Sequence, residues 1–317
     1  MIVPSLSDIK EARSSISKYI HATPILQSSS LDKLLGCTNF LKAEIFQKTG
    51  SFKVRGALNK ILHLSPEEKA RGVIAVSLGN HAQAVAWSAQ TAGLSATIVM
   101  PTNAQKVKIA ATKGYGAEVI LFGASSVEAF QEIEKIRAEK QSTFIHPYDD
   151  FHVIAGAGTI ALEILEQVKN IDNIFVSVGG GGLLAGVASA VKALSPQIKV
   201  IGVAAEGANS MYLSMQKGHA VTLNSVNTIA DGLAVPYAGE LTYAVISKLV
   251  DQILCVNDDE IKQAVKFLLQ RCKLVVEPGG ATGLAALLSG KFKPAAHARN
   301  VIILSGGNVD LNLLATL

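Results

Sequence analysis

The chain has 317 residues, of which 49% are hydrophobic and 17% charged, and its formal net charge is +4. This balance predicts a soluble globular protein with a full core, long enough for two domains, and excludes a largely disordered chain. The charge excess is small and no basic run is interleaved with aromatics, so a nucleic-acid partner is not expected.

In chain order, the N-terminus Met1-Ile2-Val3-Pro4-Ser5-Leu6-Ser7-Asp8 lacks the charged start and apolar run of a secretory signal. Every apolar stretch is broken by Gly, Ser or charge before it reaches membrane-spanning length, so the expectation is a cytoplasmic protein with no membrane partner. Helices are predicted at about residues 8–20 and 53–64. A compact β-α-β-α-β series follows, with strands at 73–76, 96–100 and 118–121 and helices at 80–92 and 104–114. Helices at 127–140 and 156–167 lead to a second series, strands 174–178 and 199–203 around a helix at 183–194. Helices at 240–250 and 258–271 precede a last strand at 301–304. The strands are apolar on successive residues, as in parallel sheets covered on both faces, so the class is α/β with two sheets. Most end in Gly, Ser, Asn or Pro, which places a ligand at their C-terminal ends. Cys37, Cys255 and Cys272 are widely spaced and form no C-x-x-C pair, which predicts buried free thiols rather than a disulfide framework or zinc site.

Separate segments carry groups able to do chemistry. Lys53 lies in Gln47-Lys48-Thr49-Gly50-Ser51-Phe52-Lys53-Val54-Arg55-Gly56-Ala57, an apolar setting with a neighbouring cation, either of which would lower its pKa. By context alone a surface lysine at a helix start is the better fit. Ser77-Leu78-Gly79-Asn80-His81-Ala82-Gln83 joins a strand to a helix and offers unpaired amides to an anion; Asn80 as a helix cap with His81 on the surface is the alternative. Gly179, Gly180, Gly181 and Gly182 follow a strand, open a helix and make a nest for a phosphate. The same run fits G-x-G-x-x-A, with Glu206 after the next strand, so a nicotinamide-dinucleotide-binding protein is a competing reading. Ser305, in Leu304-Ser305-Gly306-Gly307-Asn308, ends the last strand with a hydroxyl that can donate to a neutral acceptor or serve as an ordinary turn residue.

Taken together and in this order, these segments resemble the fold-type II pyridoxal-phosphate enzymes, and within them the serine/threonine dehydratases and serine racemases. The resemblance is nearest to short, catabolic-type threonine dehydratases and extends over Ile154-Ala155-Gly156-Ala157-Gly158-Thr159, Ile229-Ala230-Asp231-Gly232 and Glu277-Pro278. It implies a tryptophan-synthase-β-like architecture, two largely parallel open sheets flanked by helices. A large cofactor-binding domain is expected at 1–48 and 146–317, and a small mobile domain at 49–145. It also implies pyridoxal 5'-phosphate bound through Lys53, which then serves as general base. Phe52 is expected near the ring, Asn80 at its phenolic oxygen, Gly179 to Gly182 and Leu183 around the phosphate, and Ser305 at the ring nitrogen. Ser77, Leu78, Asn80 and His81 are the expected substrate-carboxylate turn. Gly232 and Glu277 are further candidates, Glu277 either near the ring or in a helix-end salt bridge.

The implied activity is an L-threonine/L-serine ammonia-lyase, releasing a 2-oxo acid and ammonia by α,β-elimination from a small hydroxy amino acid. A serine racemase or 3-hydroxyaspartate dehydratase is the alternative. Serine racemases place a second Ser where Leu78 stands, and leucine cannot carry a proton, so one-sided chemistry is expected. Glu206 matches an acid that binds a divalent cation in some relatives. The second carboxylate of that site is missing, with Asn209, Ser210 and Tyr212 standing there. The resemblance further implies a homodimer or homotetramer, and the short form with no regulatory amino-acid-binding domain after Leu317.

Overall fold

The structure is a computed structural model that describes residues 3–104, 106–123 and 126–316. Among these residues, ten strands form two sheets: β1 (Ile25–Gln27), β2 (Thr38–Ala43), β3 (Val73–Val76), β4 (Ala96–Met100), β5 (Glu118–Leu121), β6 (Thr143–Phe144), β7 (Asn173–Ser177), β8 (Lys199–Ala205), β9 (Gln252–Val256) and β10 (Arg299–Leu304). The smaller sheet has the order β5-β4-β3-β6 and is parallel throughout. The larger has the order β1-β2-β10-β7-β8-β9 and is parallel except at the β1–β2 edge.

Both sheets are covered on both faces, which is why their strands read as unbroken apolar runs. The predicted strands are all present, β3, β4 and β5 with the predicted ends and β7, β8 and β10 with ends shifted by one to two residues. Four further strands, β1, β2, β6 and β9, escaped the pattern. β1 and β6 are too short to show a period, while β2 carries Asn39 and Lys42 in a buried strand. The predicted helix at 258–271 is α-helical over Asp258–Phe267 and then widens into a π-turn, Leu268–Cys272.

The polar residues of β2 have partners. Asn39, Asn300 and Asn173 form a row across β2, β10 and β7, with Asn173 donating to Asn300 (2.8 Å) and Asn300 to Asn39 (3.1 Å). A slip of one residue would break this buried row, so it helps fix the register. Lys42 donates to Glu163 (2.5 Å), which also accepts from Arg55 (2.6 Å). Arg55 is fully buried and makes a second, bidentate pair with Glu44 at 2.8 Å through both oxygens. This compensated network clamps the helix Lys53–Leu62 to the helix Phe151–Gln167, whose backbones touch where Gly156 meets the carbonyl of Arg55. Arg55 is therefore spent on Glu44 and Glu163, and its charge is not what lowers the Lys53 pKa.

Cys37 is a buried free thiol, and Cys255 and Cys272 are half-buried free thiols. No helix among the described residues is long and apolar enough to cross a membrane.

Candidate active site

A cavity of about 920 Å³ opens at the C-terminal ends of β3, β7 and β10, between residues contributed by the two sheets. Phe52, Lys53, Ser77, Leu78, Asn80, His81, the four glycines Gly179–182, Leu183, Gly232, Glu277 and Ser305 all line it. Of the sequence candidates, only Glu206 lies elsewhere.

Lys53 begins the helix Lys53–Leu62, and the turn before it is stitched to the end of β10. Phe52 N–H donates to the Ser305 carbonyl (3.0 Å), and Gly307 N–H to the Gly50 carbonyl (2.9 Å). Gly50 needs its left-handed φ of 71° for this turn, and Thr49 shares that region at 58°. The Lys53 ammonium donates to the Pro147 carbonyl (2.8 Å) and sits 5.2 Å from the centre of the Phe52 ring. Burial lowers its pKa to about 8, against the opposing pull of Glu277.

Asn80 opens the helix Asn80–Ala92 but does not cap it. Its Nδ2 donates to Glu277 Oε1 (2.6 Å) and its Oδ1 accepts from Asn308 Nδ2 (2.7 Å). In the same turn Gly79 N–H donates to Ser77 Oγ (3.1 Å). His81 is 4% exposed rather than at the surface, and its Nε2–H donates to the Ile145 carbonyl (2.8 Å). Burial, with Lys53 nearby, drops its pKa to about 3 and keeps the ring neutral.

The glycine loop is built around Tyr148. A Cβ on Gly180 would fall within 2.5 Å of Tyr148 Cε1, one on Gly182 within 2.9 Å of Tyr148 Cβ, and one on Gly179 within 2.9 Å of the Leu233 carbonyl. Gly181 has φ of 104°. Behind the loop, Thr242 Oγ1 donates to the Gly180 carbonyl (2.7 Å). The amides of Gly180, Gly181, Gly182 and Leu183 find no protein acceptor among the described residues. Orphan amides at a helix N-terminus, in a loop with no room for side chains, suit a phosphate. Ser305 is 5% exposed, and its hydroxyl likewise has no protein partner among the described residues.

Glu277 is 5% exposed, and burial followed by the nearby Asp231 raises its pKa to about 8. Its partner is the Asn80 amide, not a helix-end cation. Gly232 lies beside it, a Cβ there falling 3.6 Å from Glu277 Oε1. Glu206 is exposed in the turn after β8 and faces a separate shallow pocket with Asp258 and Asp259. Among the described residues no group of three or more His, Cys, Asp or Glu is placed to hold a metal ion. The dinucleotide alternative needs Glu206 in the cavity of the glycine loop, where it is not.

Sequence reasoning missed Pro147 and Tyr148, which follow the two-residue β6, and gave no role to Asn308, Lys108 or Asp231. The cue for Tyr148 was weak: an aromatic after His146-Pro147 becomes informative only once the glycine loop is folded against it.

A loop of unpaired amides, a desolvated amine and a free hydroxyl in one cavity suit the phosphate, aldehyde and ring nitrogen of a phosphorylated aldehyde cofactor. The profile of the family described as pyridoxal-phosphate dependent enzyme matches residues 16–306, and the chain belongs to that family. Among curated relatives, it is 46% identical over 311 residues to the L-threonine ammonia-lyase of Thermotoga maritima, covering 98% of this chain and 77% of that protein. It is 48% identical over 312 residues to the catabolic L-threonine dehydratase TdcB of Staphylococcus aureus, covering 98% and 90%. Among solved structures, maize serine racemase superposes with a TM-score of 0.95 at 42% identity, covering 99% of this chain and 97% of that one.

Proposed function

We propose that the chain is a pyridoxal-phosphate-dependent L-threonine/L-serine ammonia-lyase, converting a small hydroxy amino acid to a 2-oxo acid and ammonia. The observation that carries this reading is the pairing of a desolvated Lys53 amine with a leucine, Leu78, in the turn expected to face the substrate. When bound, the cofactor supplies an aldehyde for the substrate amine and a ring that takes up the electrons of the broken Cα–H bond.

The chain's own residues do the rest. The amides of Gly180 to Leu183, which have no protein acceptor among the described residues, would hold the phosphate, and the Ser305 hydroxyl would donate to the ring nitrogen. In the turn Ser77 to His81 the Ser77 and Gly79 amides are already bonded, which leaves those of Leu78, Asn80 and His81 to receive the substrate carboxylate at the start of the helix Asn80–Ala92. Asn80 is held in a fixed orientation between Glu277 and Asn308, from which it would contact the cofactor ring's phenolic oxygen. With its pKa near 8, Lys53 gives a larger fraction of neutral amine at neutral pH than an ordinary lysine, as a general base at Cα requires. Leu78 brings no exchangeable proton to a second face, so elimination is favoured over inversion.

Incubation with L-threonine and L-serine tests this. 2-Oxobutyrate and pyruvate should form with ammonia, and Lys53→Ala should lose roughly 10²-fold or more of the rate while keeping its circular dichroism. The likeness to maize serine racemase supports racemisation as the second reading. Release of D-serine faster than pyruvate would select it.

We also read 1–48 and 146–317 as a large domain and 49–145 as a small mobile one. In support, β3 to β6 all fall in the second segment and the remaining strands in the first. The resemblance supports a cytoplasmic homodimer or homotetramer, which light scattering and fractionation would check.

A further inference from the structure

Charge in the cavity wall is unevenly placed. Among the described residues, Lys53 and Lys108 are the lysine or arginine side chains that line it, facing the carboxyl groups of Asp231 and Glu277. Glu277 is engaged with Asn80, and Lys53 with the Pro147 carbonyl. Lys108 stands on the helix Lys106–Gly114, which packs on β5 of the smaller sheet. Its ammonium crosses the cavity to Asp231 Oδ2 (2.8 Å), in the turn Asp231–Leu233 that packs on the helix Pro278–Leu288 of the other sheet. The Lys108 side chain is only 15% exposed, while that of Asp231 is 59% exposed.

A dicarboxylic amino acid needs two anion sites. The turn Ser77 to His81 offers one, and Lys108 is the cation available for a second. In this arrangement Asp231 already occupies it. We propose that the Lys108–Asp231 pair sets the charge class of the substrate, admitting monocarboxylic hydroxy amino acids and rejecting diacids such as 3-hydroxyaspartate. A second carboxylate would have to displace Asp231 from Lys108 and then lie beside the displaced carboxylate, a like-charge contact inside a partly desolvated cavity. Because Asp231 is exposed, the pair itself is weakly held. The selectivity therefore comes from the Asp231 carboxylate holding Lys108, which denies a second substrate carboxylate the cation available to it in the described cavity wall.

The inference rests on the amino-acid lyase reading, and its test separates the two. Asp231→Asn keeps the side-chain shape, removes the charge and frees Lys108. In the holoenzyme, the ratio of kcat/KM for 3-hydroxyaspartate to that for threonine should rise on the order of 10-fold. Calorimetric binding of succinate should tighten by a similar factor, and adding Lys108→Gln should reverse both gains. Unchanged selectivity and succinate affinity in Asp231→Asn, or gains that survive Lys108→Gln, would overturn the proposal. A wild-type protein inert toward threonine and serine sinks the lyase reading alone, and succinate binding then still decides the role of the ion pair.

Discussion

Gly180→Ala puts the phosphate cradle to a direct test. The new methyl group would sit within 2.5 Å of Tyr148 Cε1, whereas carbon atoms rest about 3.5–4.0 Å apart, so something must move by roughly 1 Å. Tyr148 cannot easily retreat. It is 4% exposed, its hydroxyl donates to the Tyr237 carbonyl (3.2 Å), and its ring packs edge-on against His146 at 4.7 Å between centroids. The loop is pinned from behind by Thr242. Overpacking of this kind costs about 1–3 kcal/mol. If the loop yields, its amides leave the phosphate position, and the same strain corresponds to a roughly 5- to 150-fold loss of cofactor affinity. Titrating apoprotein with pyridoxal phosphate, followed by absorbance and by the fluorescence of Trp87, reads this directly. Gly114→Ala is the control, because a Cβ there meets nothing within 4 Å. Wild-type affinity and wild-type Tm in Gly180→Ala would refute the cradle.

Two further outcomes follow from the site. Leu78→Ser introduces a proton-carrying group at the substrate turn, and chiral chromatography should detect D-serine that the parent does not make; a change in KM alone would contradict this account of Leu78. Glu277→Gln should change how stability depends on pH. Between pH 4.5 and about 8 the unfolded carboxyl ionises while the native one keeps its proton, so the native state binds more protons and stability falls as pH rises. An uncharged amide at this position removes that slope, by roughly 5 kcal/mol at most over the window. Lys53 acts in the opposite sense and higher: from about 8 to 10.5 the unfolded amine holds a proton the native one has lost, and stability rises. Urea midpoints of the two apoproteins from pH 5 to 8 should diverge, and parallel curves would show that Glu277 titrates normally.

The reach of the sequence reading follows from what each segment records. Unbroken apolar strands such as 96–100 and 174–178 report burial on both faces, so the α/β class was visible in them. β2 was hidden because Asn39 and Lys42 make a buried strand look amphipathic, and only the partners Asn300 and Glu163, distant in sequence, explain them. The site was legible where one short stretch holds a whole device, as in Lys53 and the glycine loop. It was not legible where a device is assembled from distant pieces. Tyr148 under Gly180, Asn308 behind Asn80, and Lys108 against Asp231 are contacts between segments with no shared local pattern. Arg55 illustrates the same limit: proximity in sequence to Lys53 pointed to a pKa effect, whereas Glu44 and Glu163 absorb its charge.

The central claim is that the Lys53 amine is the covalent anchor of pyridoxal phosphate. Borohydride treatment of the yellow holoenzyme, followed by trypsin and mass spectrometry, tests it most directly. Reduction should fix the cofactor on one lysine, block cleavage there and yield a labelled peptide spanning 49–55. A label on any other lysine, or cleavage after Lys53 with no added mass, would contradict the account.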